Sequence, residues 1–293
     1  MPPLGATLVE ERFLLNNRGQ RLYTRTYIPP KPYSNVLLFL HGGHEHSGRY
    51  HWFFLDAIER GLAIYSIDYH GHGRSEGPRH DCKSFDEYLD DINLVTDQMH
   101  ADHASESVKY FVSGISFGGL FAAHISASGH HTWDGVVLVA PAIDVETSWL
   151  MSVQRKFADL LVLLMPTASI VPAIPKNEMT RDKKAIEEFD ADPLVHHGPL
   201  KMRLCWVCLQ GMKSLTTERR AAIKAPLLVL HGTADKATSP KLSKLFFDQV
   251  GSTIKTYHAL PDQLHLLLHE LEKKDNARLI FDWILNLEQS SNQ

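Results

Sequence analysis

A serine between two glycines stands where a buried strand passes into a helix, and this junction limits the possible folds more than any other feature. The apolar run 108–112 leads into the G-x-S-x-G pattern of Gly114, Ser116 and Gly118, and helix-forming residues follow. A serine on so tight a turn adopts a strained backbone, and side chains two positions before and after it would collide with the neighbouring strand and helix. The glycines remove those side chains, so the pattern is typical of a nucleophile elbow with Ser116 at its tip.

Short apolar runs alternate with helix-length segments along most of the chain. The runs have the length and continuous hydrophobicity of strands that are buried on both faces of a parallel sheet. They cover residues 36–40, 63–67, 108–112, 136–139 and 227–230, and another strand is predicted at 254–257. Helices are predicted at about 50–60, 85–100, 117–128, 239–250 and 272–287. This alternation predicts an α/β protein with a mostly parallel, doubly wound sheet and right-handed crossovers.

The segment 8–28 has a different pattern from the rest of the predicted sheet. Apolar and polar residues alternate on both sides of a polar turn at 16–19. Such alternation is typical of strands with one face in the core, and a short turn joins two of them antiparallel. We therefore expect an N-terminal hairpin that adds an antiparallel edge to the sheet.

Residues 145–222 interrupt the alternation and are too long for a simple connection. They contain an acidic helical pattern at 182–190 and an apolar stretch at 160–174 that prolines interrupt, so it falls short of the ~20 apolar residues of a membrane-spanning helix. We predict that residues 1–144 and 223–293 form one core and that 145–222 form an inserted cap. The apolar cap residues either flank a chain-binding tunnel or pack onto the sheet; they are Leu160, Leu161, Leu163, Leu164 and Met165.

A nucleophilic serine needs a base and an acid that orients the base, and in this type of fold they follow the serine in the order acid, then histidine. Asp235 comes just after the apolar run 227–230, at the carboxyl end of a strand, where open α/β sheets place their sites. Asp144, which follows the run 136–139, is the alternative acid. Asp235 is preferred because a helix and a strand still separate it from the histidine.

Two histidines follow the last predicted strand. His265 and His269 flank an apolar triplet, and His265 comes first after the loop, whereas His269 lies about one helical turn further on. The chain has 18 histidines, so a histidine is informative here only through its position in the fold. We predict that His265 is the base.

The negative oxygen of a tetrahedral intermediate needs preorganised hydrogen-bond donors, which are typically backbone N–H groups. The run 36–40 ends in His41-Gly-Gly43, which has the place and the glycine content for one donor. Phe117 directly follows Ser116 at the start of a helix and supplies the other N–H. We therefore predict an oxyanion hole formed by Gly43 and Phe117.

Composition excludes several classes of protein. The formal net charge is -4 and Lys and Arg are scattered, so a nucleic-acid partner is not expected. The N-terminus has no positive segment followed by an apolar run, and the three cysteines do not form a secreted disulfide framework. These features predict a cytoplasmic protein. Cys205 and Cys208 have CxxC spacing, but no second pair completes a zinc site, so a structural role is expected.

Four segments resemble the monoacylglycerol lipase-like branch of the α/β-hydrolase superfamily, which includes serine aminopeptidase S33 and lysophospholipase-like members. They are HGGHEHSGRY at 41–50, DYHGHGRSEG at 68–77, GISFGG at 114–119 and HGTAD at 231–235. The first two are the specific ones, because a generic serine hydrolase of this fold need not carry them. The resemblance extends from about residue 10 to residue 287 and includes Asp192-Pro-Leu194 in the cap.

The resemblance implies an α/β-hydrolase fold, a Ser116, Asp235 and His265 triad, and an apolar cap that takes an acyl chain and contacts membranes at their surface. It also implies a polar pocket for a glycerol head group, to which Glu45 and Arg49 contribute; alternatively these two pair with each other and hold the loop. A second histidine that holds the head group in the mammalian enzymes is replaced here by Leu268. His72 and Arg74 are interpreted as braces of a neighbouring loop.

The implied activity is hydrolysis of the acyl ester of monoacylglycerols or similar single-chain lipids through an acyl-enzyme, with no metal or organic cofactor. Two alternatives use the same triad: a lysophospholipase, and a hydrolase of small esters or peptides. A third is a ligand-binding receptor that keeps the fold without turnover, and the intact order of serine, aspartate and histidine argues against it.

Overall fold

The computed structural model describes residues 8–105, 107–146 and 162–290. The strands are β1 (Leu8–Leu15), β2 (Arg21–Ile28), β3 (Asn35–Leu40), β4 (Leu62–Ile67), β5 (Lys109–Ile115), β6 (Gly135–Val139), β7 (Ser169–Val171), β8 (Leu200–Lys201), β9 (Leu227–Gly232) and β10 (Lys255–Leu260). The α-helices are α1 (His51–Glu59), α2 (Phe85–Asp102), α3 (Phe117–Ser128), α4 (Lys183–Ala191), α5 (Met202–Ser214), α6 (Thr217–Ala222), α7 (Pro240–Gln249) and α8 (Lys273–Ser290).

Eight of these strands form one sheet in the order β1-β2-β4-β3-β5-β6-β9-β10. The pairs from β4 to β10 are parallel, whereas β1 pairs antiparallel with β2 and β2 with β4. The predicted mostly parallel sheet with an antiparallel N-terminal hairpin is therefore confirmed. β5 continues three residues beyond its predicted end, because Ser113, Gly114 and Ile115 still pair with β6.

The continuous apolar runs are explained by burial on both faces of the sheet. In β3, Leu38 and Leu40 point into a cluster with residues of α2 and α3, whereas Leu37 and Phe39 point into a second cluster with residues of α1 and α8. Both faces of every such strand are covered, so alternate positions are equally apolar. Because these strands are parallel, their carboxyl ends meet at one edge of the sheet. Helices packed on both faces hold the strands in place.

The described part of the predicted cap departs from this layer. β7 and β8 form a separate two-stranded antiparallel sheet, and α5 packs back onto the main core through Leu204 and Val207. Leu163, Leu164 and Met165 are 78%, 67% and 53% exposed, so they do not pack onto the sheet. Residues 147–161, which include Leu160 and Leu161, lie outside the described residues, and the division into core and cap stays a prediction.

Within the part of the chain that the structure describes, no helix combines the length and the hydrophobicity that crossing a bilayer requires.

Phe53 provides a test of the second core cluster. Its ring is fully buried on α1 and stacks on Phe281 of α8, with 4.7 Å between ring centroids and 27° between planes. We expect Phe53→Ala to lower the free energy of unfolding by about 3–5 kcal/mol, since it leaves a cavity between two helices. Phe13→Ala, at a site that is 51% exposed, is the matched control with an expected cost below about 1 kcal/mol. Equal costs in urea unfolding would contradict this packing.

Candidate active site

Ser116 lies at the tip of a strained turn between β5 and α3. Its φ of 54° and ψ of -114° fall outside the regions that non-glycine residues prefer. A β-carbon at Gly114 would lie 2.1 Å from the carbonyl oxygen of Gly118, and one at Gly118 would lie 2.1 Å from the carbonyl oxygen of Leu40. The backbone therefore passes too close to itself for any side chain at these two positions. This close approach is the reason for which both glycines were expected at the elbow.

Asp235 and His265 meet near the carboxyl end of β9. The Nδ1 atom of His265 lies 2.8 Å from Oδ2 of Asp235. The other oxygen of Asp235 accepts hydrogen bonds from the backbone N–H groups of Ala237 (2.7 Å) and Thr238 (3.0 Å). The hydroxyl of Thr238 donates to Oδ2 at 2.8 Å, so the carboxylate is held from several sides.

The environment of Asp235 determines its charge. Burial acts to raise the pKa of this carboxyl, but electrostatic attraction to His265 and hydrogen bonds from His231, His265 and the Thr238 backbone lower the pKa well below its usual range. An ionised carboxylate accepts the proton on Nδ1 of His265, which fixes the imidazole tautomer. The Nε2 atom is then the one that remains available for proton transfer.

One cavity of about 360 Å³ brings together most of the predicted site residues. Its lining includes Gly43, Glu45, Arg49, Ser116, Phe117 and His265. Asp235 is 9% exposed and lies behind His265 rather than in the lining. Much of the remaining wall is apolar and comes from the predicted cap: Ile174, Met179, Ile186, Phe189, Leu204 and Met212.

The two predicted oxyanion donors lie next to each other, Gly43 in the loop after β3 and Phe117 at the first position of α3. A β-carbon on Gly43 would lie 3.6 Å from side-chain atoms of Phe117, so the two residues are in direct contact range. Nε2 of His72 lies 2.9 Å from the carbonyl oxygen of Gly43, which supports the interpretation of His72 as a loop brace. Burial lowers the pKa of His72 to about 4, so this brace is uncharged at neutral pH.

Glu45 and Arg49 pair with each other as well as line the cavity. Nε of Arg49 donates to Oε2 of Glu45 at 3.2 Å, and the guanidinium lies 4.9 Å above the ring of Phe189. Oε1 of Glu45 accepts hydrogen bonds from the backbone N–H of Gly42 and from the Tyr50 hydroxyl. These contacts agree with the alternative in which the pair holds its loop, and a role in substrate binding stays a prediction.

The alternative acid and base make other contacts than Asp235 and His265 do. Asp144 lines the same cavity as Ser116, but its carboxylate accepts a hydrogen bond at 2.8 Å from the backbone N–H of the next residue, Val145. His269 is 4% exposed, and its Nε2 lies 4.0 Å from Oε2 of Glu45. Burial, followed by the positive charges of Arg49 and Lys273, lowers the pKa of His269 well below its usual range. His269 is therefore an uncharged residue outside the cavity lining.

The two cysteines of the CxxC segment contribute to the cavity wall on α5. Cys205 and Cys208 are both free thiols. Burial raises the pKa of Cys205 to about 11 and raises that of Cys208 well above its ordinary value. Thiols that stay protonated are poor nucleophiles, which agrees with the expected structural role.

The loop that carries His265 is held by contacts with a distant segment that were not predicted from the sequence. The backbone N–H of Leu266 donates to the carbonyl oxygen of Met179 at 2.8 Å, and the hydroxyl of Thr180 donates to the carbonyl oxygen of His269 at 2.8 Å. Arg181 pairs with the fully buried Glu270 at 3.3 Å. About 90 positions separate the two segments, so no local sequence pattern connects them. Thr238, in contrast, lies three residues after Asp235, and its hydrogen bond to that carboxylate could have been predicted from this spacing.

The sheet order, the elbow and the histidine–aspartate pair define an α/β-hydrolase, which confirms the predicted fold class. The family model described as serine aminopeptidase, S33, matches residues 31–272. That range covers all of the predicted site residues, from Gly43 to His265. The chain therefore belongs to the serine aminopeptidase S33 family.

Several proteins and solved structures are similar to this chain over most of its length. An abhydrolase domain-containing protein of Dictyostelium discoideum is 33% identical over 92% of this chain, which spans 28% of that protein. A monoacylglycerol lipase of Mycolicibacterium smegmatis is 29% identical over 92% of this chain and 94% of its own. The crystal structure of a Paleococcus ferrophilus monoacylglycerol lipase has a TM-score of 0.78 at 26% identity and covers 91% of this chain and 99% of its own. The predicted monoacylglycerol lipase-like branch and the class of carboxylic ester hydrolase are confirmed.

Gly118 provides a test of the elbow. We expect Gly118→Ala to destabilise the fold by at least about 2 kcal/mol and to abolish ester hydrolysis, since the new methyl group collides with the backbone of the central strand β3. Gly198→Ala is the control, because the nearest atoms would be 3.7 Å from its β-carbon. Urea unfolding and hydrolysis of a short ester measure both effects. A Gly118→Ala protein with unchanged stability and activity would rule out this geometry.

Proposed function

We propose that this protein is a serine carboxylester hydrolase that cleaves the acyl ester of single-chain lipids through Ser116, His265 and Asp235. The main support is the arrangement at one edge of the sheet. A strained serine and a histidine line the same cavity, and a buried carboxylate binds the far side of the imidazole at 2.8 Å. Each element matches a role in nucleophilic acyl transfer.

The proposed reaction begins when Oγ of Ser116 attacks the ester carbonyl carbon while Nε2 of His265 accepts the serine proton. The ionised Asp235 stabilises the imidazolium that results. Backbone N–H groups of Gly43 and Phe117 stabilise the negative oxygen of the tetrahedral intermediate, and Phe117 stands at the first position of α3, where the helix dipole adds to this effect. The imidazolium then protonates the leaving alcohol, and an acyl-enzyme remains.

Hydrolysis of the acyl-enzyme repeats the sequence with water as nucleophile. His265 accepts a proton from the water, the hydroxide attacks the acyl carbonyl, and Ser116 leaves as the alcohol when His265 returns the proton. The products are a fatty acid and an alcohol, and the serine is restored. Every proton in this cycle moves through the one imidazole.

The cavity wall supports a lipid as substrate. Its apolar side chains, from Ile174 to Met212, suit an acyl chain, which binds by removing hydrocarbon surface from water. The Mycolicibacterium smegmatis relative is named a monoacylglycerol lipase, and we propose a monoacylglycerol or a similar single-chain ester for this chain. Glu45 and Arg49 then provide the polar surface for the head group, and Leu268, which is fully buried, does not contribute.

The exposed apolar residues of the cap support contact with a lipid surface. Leu163, Leu164, Met165 and Ile170 are each more than half exposed, and Ile174 joins this surface to the cavity lining. Clustered exposed apolar side chains favour transfer into a lipid interface. We propose that the protein acts in the cytoplasm and that this part of the cap contacts the membrane from which the substrate comes.

Covalent labelling tests the proposed nucleophile. We expect a fluorophosphonate probe to label the wild-type protein once and to leave Ser116→Ala unlabelled, with a loss of hydrolysis of about four orders of magnitude or more. Ser113→Ala is the matched control, because that hydroxyl is buried on β5 just before the elbow and should not be needed. Absence of labelling on folded wild-type protein would instead favour a non-catalytic receptor.

A substrate panel separates the remaining alternatives. Monoacylglycerols, lysophospholipids, short esters and peptides differ in the alcohol or amine that leaves, while the acyl transfer is the same. The highest kcat/KM on monoacylglycerols would support the proposed substrate. A preference for lysophospholipids or for peptides would replace the proposed head group and leave the triad in place.

Cys208 provides a test of the proposed acyl site. Cys208→Trp places a large side chain in the cavity wall, and we expect it to lower kcat/KM for long-chain esters by about tenfold or more while a short ester is still hydrolysed. Leu271→Trp, at a site that is 63% exposed, is the control and should leave both substrates unaffected. Equal losses on short and long esters would show that the acyl chain binds elsewhere.

A further inference from the structure

Two histidines and a carboxylate converge on the surface far from the proposed active site. Nε2 of His130 lies 3.0 Å and Nε2 of His131 lies 2.6 Å from the same oxygen, Oδ1 of Asp97. Ligand atoms of these three side chains all lie within 4.8 Å of one another. Their side chains are 51%, 20% and 54% exposed, so an ion from solvent can reach them.

The fold produces this convergence from two separate segments. Asp97 is on the outer face of α2, whereas His130 and His131 follow Gly129, where the chain leaves α3 and turns towards β6. The backbone N–H of His130 is held by the hydroxyl of Ser128 at 3.2 Å. The two imidazoles are therefore presented by a turn that is itself fixed, and they face a rigid helix.

A third histidine limits the movement of one candidate ligand. His100, one turn after Asp97 on α2, stacks on His131 with 4.1 Å between ring centroids and 8° between planes. The stack keeps the ring plane of His131 directed at Asp97.

The donor atoms of the three side chains indicate which class of ion would bind. Two imidazole nitrogens and one carboxylate oxygen form a ligand set that zinc and similar transition-metal ions prefer, whereas calcium and magnesium select oxygen ligands.

We propose that Asp97, His130 and His131 form a binding site for a transition-metal dication such as Zn²⁺, with water completing the coordination. Ligand atoms about 2.0–2.1 Å from a tetrahedral zinc ion are about 3.3 Å apart. The present separations from the shared oxygen are 3.0 and 2.6 Å, which is about 0.3 and 0.7 Å shorter, so rotations of the exposed His130 and Asp97 side chains are needed to admit the ion. The ion replaces two N–H donors, and the imidazole protons move to Nδ1 or to solvent.

The position of this site indicates a structural role. α3 has 12 residues and spans about 18 Å, with Ser116 before its first residue and the two histidines just beyond its end. The histidines precede β6, so they lie at the amino-terminal edge of the parallel sheet, opposite the edge that carries Ser116. A bound ion would join α2 to the α3–β6 turn and stabilise the fold without touching the substrate.

Competition against a chromophoric chelator tests this site with Zn²⁺ alone. We expect the wild-type chain to bind one Zn²⁺ at this site, and Asp97→Asn and His130→Gln to bind it at least about tenfold more weakly, since even partners that only orient a ligand change affinity about 10- to 100-fold. Asp90→Asn, an exposed position two turns earlier on the same helix, is the matched control and should bind as the wild type does.

Thermal unfolding and activity complete the test. Zn²⁺ should raise the Tm of the wild type and of Asp90→Asn, but not that of Asp97→Asn or His130→Gln, because only binding to the folded chain stabilises it. Ester hydrolysis without added metal should be the same in all four proteins, which also shows that each variant is folded. Equal Zn²⁺ affinity in all four, or no Zn²⁺ binding by the wild type, would overturn the proposal.

Discussion

The hydrogen bond between Asp235 and His265 is the interaction on which the proposed chemistry depends, and the parallel sheet brings the two residues together. Asp235 follows β9, and His265 follows β10, which is the next strand of the same parallel sheet. Their meeting requires that both strands end at the same edge, and the parallel pairing of β10 with the fully buried β9 fixes that edge. The carboxylate keeps its charge in a buried place only because several donors surround it.

Much of this arrangement can be predicted from the sequence because its determinants are local. Continuous apolar runs identify the parallel strands, and the predicted helix 117–128 has the same bounds as α3. The glycines on both sides of Ser116 reflect a close approach of the backbone that the structure contains at 2.1 Å. Strand ends are less predictable, as β5 shows, because pairing with β6 rather than hydrophobicity determines where the strand stops.

Contacts between distant segments are beyond such patterns. Nothing in the sequence indicates that Thr180 binds the carbonyl of His269, or that Glu45 binds Gly42 and Tyr50 in addition to Arg49. Glu45 illustrates the difficulty best: a motif places it beside the site, yet its hydrogen bonds are already satisfied within its own loop. Whether such a residue binds substrate depends on the energy of exchanging those partners, which a sequence pattern does not contain.

The hydrogen bonds between residues 179–181 and the loop of His265 have a mechanical consequence. Leu266, directly after His265, is bonded to Met179, and Arg181 anchors the buried Glu270 of the same loop. A displacement of this segment would pull the imidazole away from Asp235 and interrupt proton transfer. The cavity entrance can therefore widen for a bulky lipid during turnover only by movement of other parts of its wall. Residues 179–181 must keep their positions while the opposite side opens.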